Sequence, residues 1–237
     1  GDHQNRVTLG LPSFQGSLNG GAVFLQAHDV PHAVAREHDE LVLVDRRVAV
    51  AVVLGEQRVH LRGVVGDRVL ARRAQRSVSS LLTARPRAAI VSHALIQDLD
   101  GARRAVARGV TALKVKLGLK PWAEELSWLE SLRRELNSEI ALRADVNGSW
   151  SLKEATAAWP ELHRLGVELV EDPIDIGDLQ GYRTLRDLGG PRVAIDQGCT
   201  NAHKLQEYIA AHAVDVVVLK PMVIGGLQRA RDLALMA

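Results

Sequence analysis

The sequence predicts an α/β fold in which βα units repeat as in a (β/α) barrel, and three observations carry that expectation. From about residue 75 onward, short β-branched or apolar runs alternate with stretches of helical periodicity. Five of the runs, TALKVK, IALRAD, VELVE, RVAID and DVVVLK, close on a charged side chain: Lys116, Asp145, Glu171, Asp196 and Lys220. Those five residues recur every 24 to 29 positions, the length of one strand, loop and helix. Ionisable groups at the carboxyl ends of successive parallel strands are where such a barrel builds an active site.

The elements follow in order. SVSSLLTARPRA reads as a helix end leading into the strand AAIVSHALI, and GARRAVARG as a helix stopped by Gly109. Strand TALKVK, helix PWAEELSWLESLRREL and strand IALRAD come next, with Pro121 suited to the first turn of its helix. Ser151 and Glu154 have the spacing of a capping box at the start of SLKEATAAWPELHRLG. Strand VELVE, helix DLQGYRTLRDL, strand RVAID, helix AHKLQEYIAAHA, strand DVVVLK and helix LQRARDLALMA complete six units. Right-handed crossovers between them make the sheet parallel.

Residues 1–74 differ: they contain no Lys, Ile, Tyr, Trp, Met or Cys. Residues 41–70 read as β-rich, with turns at Gly55 and Gly66-Asp67, which suits a small antiparallel meander; residues 1–40 read as loop. The expected division is therefore 1–74, a cap-like or divergent β-rich region, and 75–237, a catalytic barrel domain.

Composition narrows the function. The 237 residues are 46% hydrophobic and 24% charged, with a net charge of +2, as in a globular protein. Basic residues form no runs interleaved with aromatics, which argues against nucleic acid as a partner. No apolar run reaches the roughly 20 residues of a membrane span. Cys199 is the only cysteine, so no intrachain disulfide can form, which suits a cytoplasmic setting. The sequence leaves homo-oligomerisation open.

Three carboxylates on adjacent strand ends, Asp145, Glu171 and Asp196, would repel one another unless a cation joined them. Oxygen-only donors favour Mg²⁺. Lys114 and Lys116 lie two apart on one strand and share a face. A second ammonium and a nearby divalent cation both disfavour the charged form of Lys116, which could then act as a general base. Lys220 is expected opposite Lys116 across the mouth. Such an arrangement suits proton abstraction next to a carboxylate, with an enediolate to be stabilised.

The runs ALKVKLG, LRADVNGSW, VELVEDPI, RVAIDQG and VVVLKPMVIGG together resemble the enolase superfamily, over roughly residues 75–237. The resemblance implies a TIM-type (β/α) barrel, with Lys116 as base and Lys114 as its electrostatic helper. It implies Asp145, Glu171 and Asp196 as Mg²⁺ ligands, Asn147 close by, and Lys220 stabilising the enediolate, followed by Gly225 and Gly226. Within the superfamily the chain is most similar to the o-succinylbenzoate synthase family. That likeness implies a lyase that eliminates water from a small-molecule carboxylate in menaquinone biosynthesis. A muconate cycloisomerase, an N-acylamino acid racemase or an inactive barrel fragment are the alternatives.

Three departures accompany the resemblance. Asp196 is followed by Gln197 where the family has glutamate. The run ends at LALMA, just after the sixth strand, so the barrel is expected to be truncated there. Residues 1–74 lack the family's capping signature, and their bias fits either a divergent cap or a change of reading frame before codon 74. His28 and His32, four apart with Pro31 between, read as loop histidines. His93 reads as structural, Cys199 as a small packed side chain, and Trp122 and Trp128 as barrel packing.

Overall fold

A computed structural model describes residues 71–83, 91–200 and 202–237, together with the strands Val23–Phe24 and Ala49–Val52. These two short strands are β1 and β2. The remaining strands are β3 (Val91–Leu95), β4 (Ala112–Lys116), β5 (Ala141–Asp145), β6 (Val167–Glu171), β7 (Arg192–Ile195) and β8 (Val216–Leu219). The helices are α1 (Val78–Leu82), α2 (Leu99–Ala107), α3 (Trp122–Glu135), α4 (Leu152–Arg164), α5 (Leu179–Asp187), α6 (Ala202–Ala210), α7 (Pro221–Ile224) and α8 (Leu227–Ala234).

Strands β3 to β8 pair in sequence order and all in parallel, with a helix after each, and the six curl into part of a (β/α) barrel. The six expected βα units are all present. The run VVVL of β8 is buried throughout, as a parallel strand covered on both faces must be. On the outer side Leu129 and Leu132 of α3 and Ala155, Ala158 and Leu162 of α4 join the apolar core. One helix was not expected: α7, a single turn that starts at Pro221, directly after Lys220. Among the described residues no helix is long and apolar enough to cross a membrane.

The N-terminal expectations need correcting where the structure describes them. Ala49–Val52 is a strand, but it lies parallel to β8, with Ala49 opposite Val216 and Val52 opposite Leu219, and not in an antiparallel meander. Val23–Phe24, read as loop, pairs antiparallel with Val91 and Ser92. The physical reason is the same at both sheet margins: unpaired N–H and C=O groups on β3 and β8 are satisfied by any apolar extended segment that reaches them. The remainder of residues 1–70, including His28 and His32, lies outside the described residues.

Local signals act largely as read. Gly109 has φ +82° and donates to Val106, ending α2. Pro121 stands at the N-cap of α3, one residue before the first helical turn. Ser151 caps α4 by accepting from the Glu154 amide at 3.2 Å, and the Glu154 carboxylate accepts from the Ser151 amide at 2.7 Å. Those bonds from the Ser151 side chain and backbone hold the Glu154 carboxyl below its ordinary range. A depressed carboxyl contributes stability that is complete above the unfolded value of about 4.3. That contribution is lost as pH falls through the lower folded value. Ser151→Ala is therefore expected to lower the melting temperature near neutrality and to matter less at about pH 3. Thermal melts of both proteins at the two pH values check this; a difference independent of pH would leave the hydroxyl alone as the cap.

Candidate active site

Strand register brings three of the charged ends level, while Asp196 stands two residues beyond Ala194, the residue opposite Glu171. Lys116 is opposite Asp145, and Asp145 is opposite Glu171. Asp196 follows β7 directly, and Lys220 follows β8 as the N-cap of α7. Because alternate side chains share a face, Lys114 lies one layer beneath Lys116. Asp145, Glu171, Asp196 and Lys114 are all buried, whereas the Lys116 side chain is 45% exposed.

The ammonium groups are distributed among the acids. Lys114 Nζ lies 3.0 Å from Asp145 Oδ2 and 2.8 Å from Glu171 Oε2. Lys116 Nζ is 3.7 Å from Asp145 Oδ2 and donates to Asn147 Oδ1. Lys220 donates to Asp196 Oδ2. Lys116 and Lys220 thus stand at the two ends of a row of three carboxylates. Asn147 takes a left-handed backbone, φ +51°, with its amide 3.2 Å from Asp145 Oδ1. This places its side chain over Lys116.

Burial and charge shift the titration of the row in opposite directions. Burial disfavours the Lys114 ammonium, but the charges of Glu171 and Asp145 outweigh it and hold Lys114 protonated well above its usual range. Glu171 is pushed up to about 8, by burial first; Lys114 opposes this, and Asp145, Asp196 and Asp172 add to it. Asp172 is pushed up to about 6, again by burial, against hydrogen bonds from the Asp196 and Gln197 amides. Burial also disfavours the Lys220 ammonium, yet Asp196 raises its affinity for the proton.

Among the described residues no three His, Cys, Asp or Glu side chains stand close enough to share an ion as they are placed. Lysine ammoniums sit between them instead. The donor set nevertheless fits a hard divalent cation. Four buried carboxylates, Asp145, Glu171, Asp172 and Asp196, stand against the three ammonium groups of Lys114, Lys116 and Lys220, and two of the acids resist ionising. The cluster is short of positive charge, and its donors are all oxygen.

Several side chains outside the expected set shape the site. Glu125 of α3 is buried and accepts the amides of Gly118, Leu119 and Lys120 at 2.8 to 3.1 Å, which fastens the loop after Lys116. Arg143, under Asp145, bonds Glu168 at 2.6 Å and the His93 ring at 3.2 Å. Glu168 reaches Arg143 because the β5–β6 register slips there: Leu142 is opposite Val167 but Arg143 is opposite Leu169. Burial, with Lys114 and Arg143 adding to it, keeps His93 neutral, and it sits mid-strand as a structural residue. Cys199 is buried and donates to the Ile195 carbonyl. Trp122 packs edge-on against Trp150 at 5.6 Å. Trp128 does more than pack: it lines a cavity of about 400 Å³ beside Lys116, with Leu95, Ile96, Gln97, Leu119 and Lys120. Gln197 is exposed and engages the site through its backbone amide, and Gly225 and Gly226 form the positive-φ turn between α7 and α8.

The family model described as "Enolase C-terminal domain-like" matches residues 97–237. The chain belongs to the enolase superfamily. It is 32% identical over 142 residues to a chloromuconate cycloisomerase of Cupriavidus pinatubonensis (strain JMP 134 / LMG 1197), covering 60% of this chain and 38% of that protein. It is 29% identical over 132 residues to the L-Ala-D/L-Glu epimerase of Bacillus subtilis (strain 168), covering 55% and 36%. Among solved structures, a muconate cycloisomerase from Azorhizobium caulinodans superposes with a TM-score of 0.66 at 29% identity, over 72% of this chain and 50% of that one. A racemase from Streptomyces coelicolor A3(2), solved with bound magnesium, shares the fold at 22% identity, a TM-score of 0.58 and coverage of 61% and 43%. The chain spans less than two-fifths of the length of the two curated relatives. Those two curated relatives are a cycloisomerase and an epimerase.

Proposed function

We propose that this chain carries an enolase-superfamily site that removes the proton α to a substrate carboxylate. The observation that carries the reading is the row of strand-end carboxylates Asp145, Glu171 and Asp196, with Lys116 against Asp145 at one end and Lys220 on Asp196 at the other. Lys116 is the proton acceptor: it ends its strand, reaches solvent, and opens on the cavity. Lys114 holds Asp145 and Glu171 in place from below. Lys220 faces the other side of the enediolate, where it can donate to it or return a proton. Asp145, Glu171 and Asp196 would hold Mg²⁺, which when bound supplies positive charge at the substrate carboxylate. Leu95, Ile96 and Trp128 give that cavity an apolar wall next to Lys116, and Lys120, Glu124 and Glu125 line it as well. Residues 75–237 form the catalytic unit in this reading, and residues 1–74 a cap-like region.

The similarity to a chloromuconate cycloisomerase and a dipeptide epimerase favours those two reaction types, both of which begin or end at a carbon next to a carboxylate. Dehydration to o-succinylbenzoate, with its place in menaquinone biosynthesis, is the second reading. It is favoured by the Lys220-Pro221 pair followed by Gly225-Gly226.

The test is proton exchange and turnover by the purified chain with L-Ala-L-Glu, a chloromuconate and the cyclohexadiene-carboxylate precursor, each in D₂O with Mg²⁺ and again with EDTA. Deuterium at the α-carbon of the epimerised or cyclised product, or aromatic product from the cyclohexadiene-carboxylate, lost with EDTA and restored by Mg²⁺, is the expected result and names the substrate class. Metal-independent reaction, or neither exchange nor turnover from a cooperatively melting protein, would overturn the reading.

A further inference from the structure

We propose that Asp172 is the positioning residue that holds the ends of β5, β6 and β7 at one spacing, so that Asp145, Glu171 and Asp196 can share a cation; this rests on the reading of those three as metal ligands. Asp172 follows Glu171 directly and is wholly buried. Its backbone adopts φ +43°, the left-handed region, which Asp tolerates better than most residues. In that turn its amide still donates to the Ala194 carbonyl of β7 at 2.9 Å, while its carbonyl accepts from the Gly148 amide at 2.7 Å. Gly148 lies in the turn that follows Asp145 and Asn147, itself at φ +72°. The Asp172 backbone therefore touches the structures on both sides of β6.

The side chain makes the third connection. Oδ1 accepts from the Asp196 amide at 2.9 Å and Oδ2 from the Gln197 amide at 3.0 Å. The Tyr182 hydroxyl approaches Oδ1 at 3.4 Å and the Ile174 carbonyl at 3.2 Å. Tyr182 is itself fully buried, edge-on to Tyr208 at 5.2 Å. Both carboxylate oxygens are thus turned to the backbone of the β7–α6 loop, and they hold the amide of the very residue whose side chain is to bind the ion. Two consecutive amides bonded by one carboxylate form a geometry that no neutral side chain of this size reproduces, since Asn offers one acceptor oxygen where Asp offers two.

Asp172→Asn keeps the size and the tolerance for a left-handed backbone but turns an NH₂ group toward one amide. Asp172→Gly suits the backbone still better and removes both acceptors. Mg²⁺ binding is measured by calorimetry on the full chain, well below each protein's melting temperature, beside thermal melts. The expected result is weaker Mg²⁺ binding by about tenfold or more in the folded Asn variant, as when outer partners of metal ligands are removed. A role in folding alone would lower the melting temperature and leave the affinity of the folded protein unchanged. Equal affinity in wild type and folded variant overturns the proposal. No binding by wild type overturns the metal reading itself and the proposal with it, a result distinct from the first. Should the Asn variant give no cooperative melt, the Gly variant is measured in the same way, with the same criteria.

Discussion

Lys116→Ala is expected to abolish α-proton exchange, by about 10²–10⁴-fold in rate, the usual contribution of a positioned general base. Its fold should survive. The Lys116 side chain is nearly half exposed, and its polar contacts are with Asn147 and, at 3.7 Å, Asp145. Losing an exposed ion pair of that length changes stability little. Comparison of deuterium incorporation and melting temperature separates the two effects. Exchange that persists in the variant would move the base role elsewhere, with Lys220 the next residue to replace. A parallel loss of exchange and of the cooperative melt would instead make Lys116 structural.

Lys114→Met is expected to behave in the opposite way, as a large stability effect. Lys114 is buried between Asp145 and Glu171, each within 3.0 Å, and its loss leaves two buried acids without their shared cation. Breaking a buried pair by removing one partner costs about 3–5 kcal/mol. Glu171, whose carboxyl burial already pushes up to about 8 against the opposition of Lys114, can reduce that cost by keeping its proton, so the destabilisation should grow as pH rises above about 8. If the same carboxylates hold Mg²⁺, the ion should recover part of the loss. Mass action supplies about 2.7 kcal/mol at a concentration 100 times the dissociation constant. The rise in melting temperature on adding Mg²⁺ should therefore be larger for Lys114→Met than for wild type. Chemical denaturation with and without Mg²⁺ measures both quantities. A variant as stable as wild type would show that Asp145 and Glu171 do not carry charge together in the folded protein. An equal Mg²⁺ response in the two proteins would place the ion elsewhere.

The readable parts of this molecule are those whose information is local. A strand buried on both faces must be a short apolar run, and a helix lying on the sheet must repeat its apolar face, so β3 to β8 and their helices could be placed from composition and period. The Ser151 capping box and the Gly109 helix stop are likewise contained within a few residues. Lys116, Asp145 and Glu171 were legible because each ends a recognisable strand one βα unit after the last, and that spacing implies adjacency in the sheet. What resisted reading is what depends on register and on contacts between distant segments. The slip between β5 and β6 that turns Glu168 toward Arg143 has no sequence marker. Nor does any sequence marker show that a left-handed backbone at Asp172 aims its carboxylate at the Asp196 and Gln197 amides. Glu125 shares the buried face of α3 with Leu129 and Leu132, and only the folded loop after Lys116 supplies the three amides that it accepts.

By itself the sequence determined the order of the βα units, the family, and the line of charged residues at the strand ends. These follow from one-dimensional periodicity, because each unit has to bury its own apolar face. Only the tertiary structure decided how the charges are shared: Lys114 between two acids, Lys220 on Asp196, Lys116 left open to the cavity. It also decided that Ala49–Val52 lies parallel against β8, where unpaired backbone groups needed a partner. Those outcomes are sums of desolvation, Coulombic attraction and hydrogen-bond geometry over groups 24 to 57 residues apart in the chain. No local pattern encodes such a balance; it exists once the strands stand side by side.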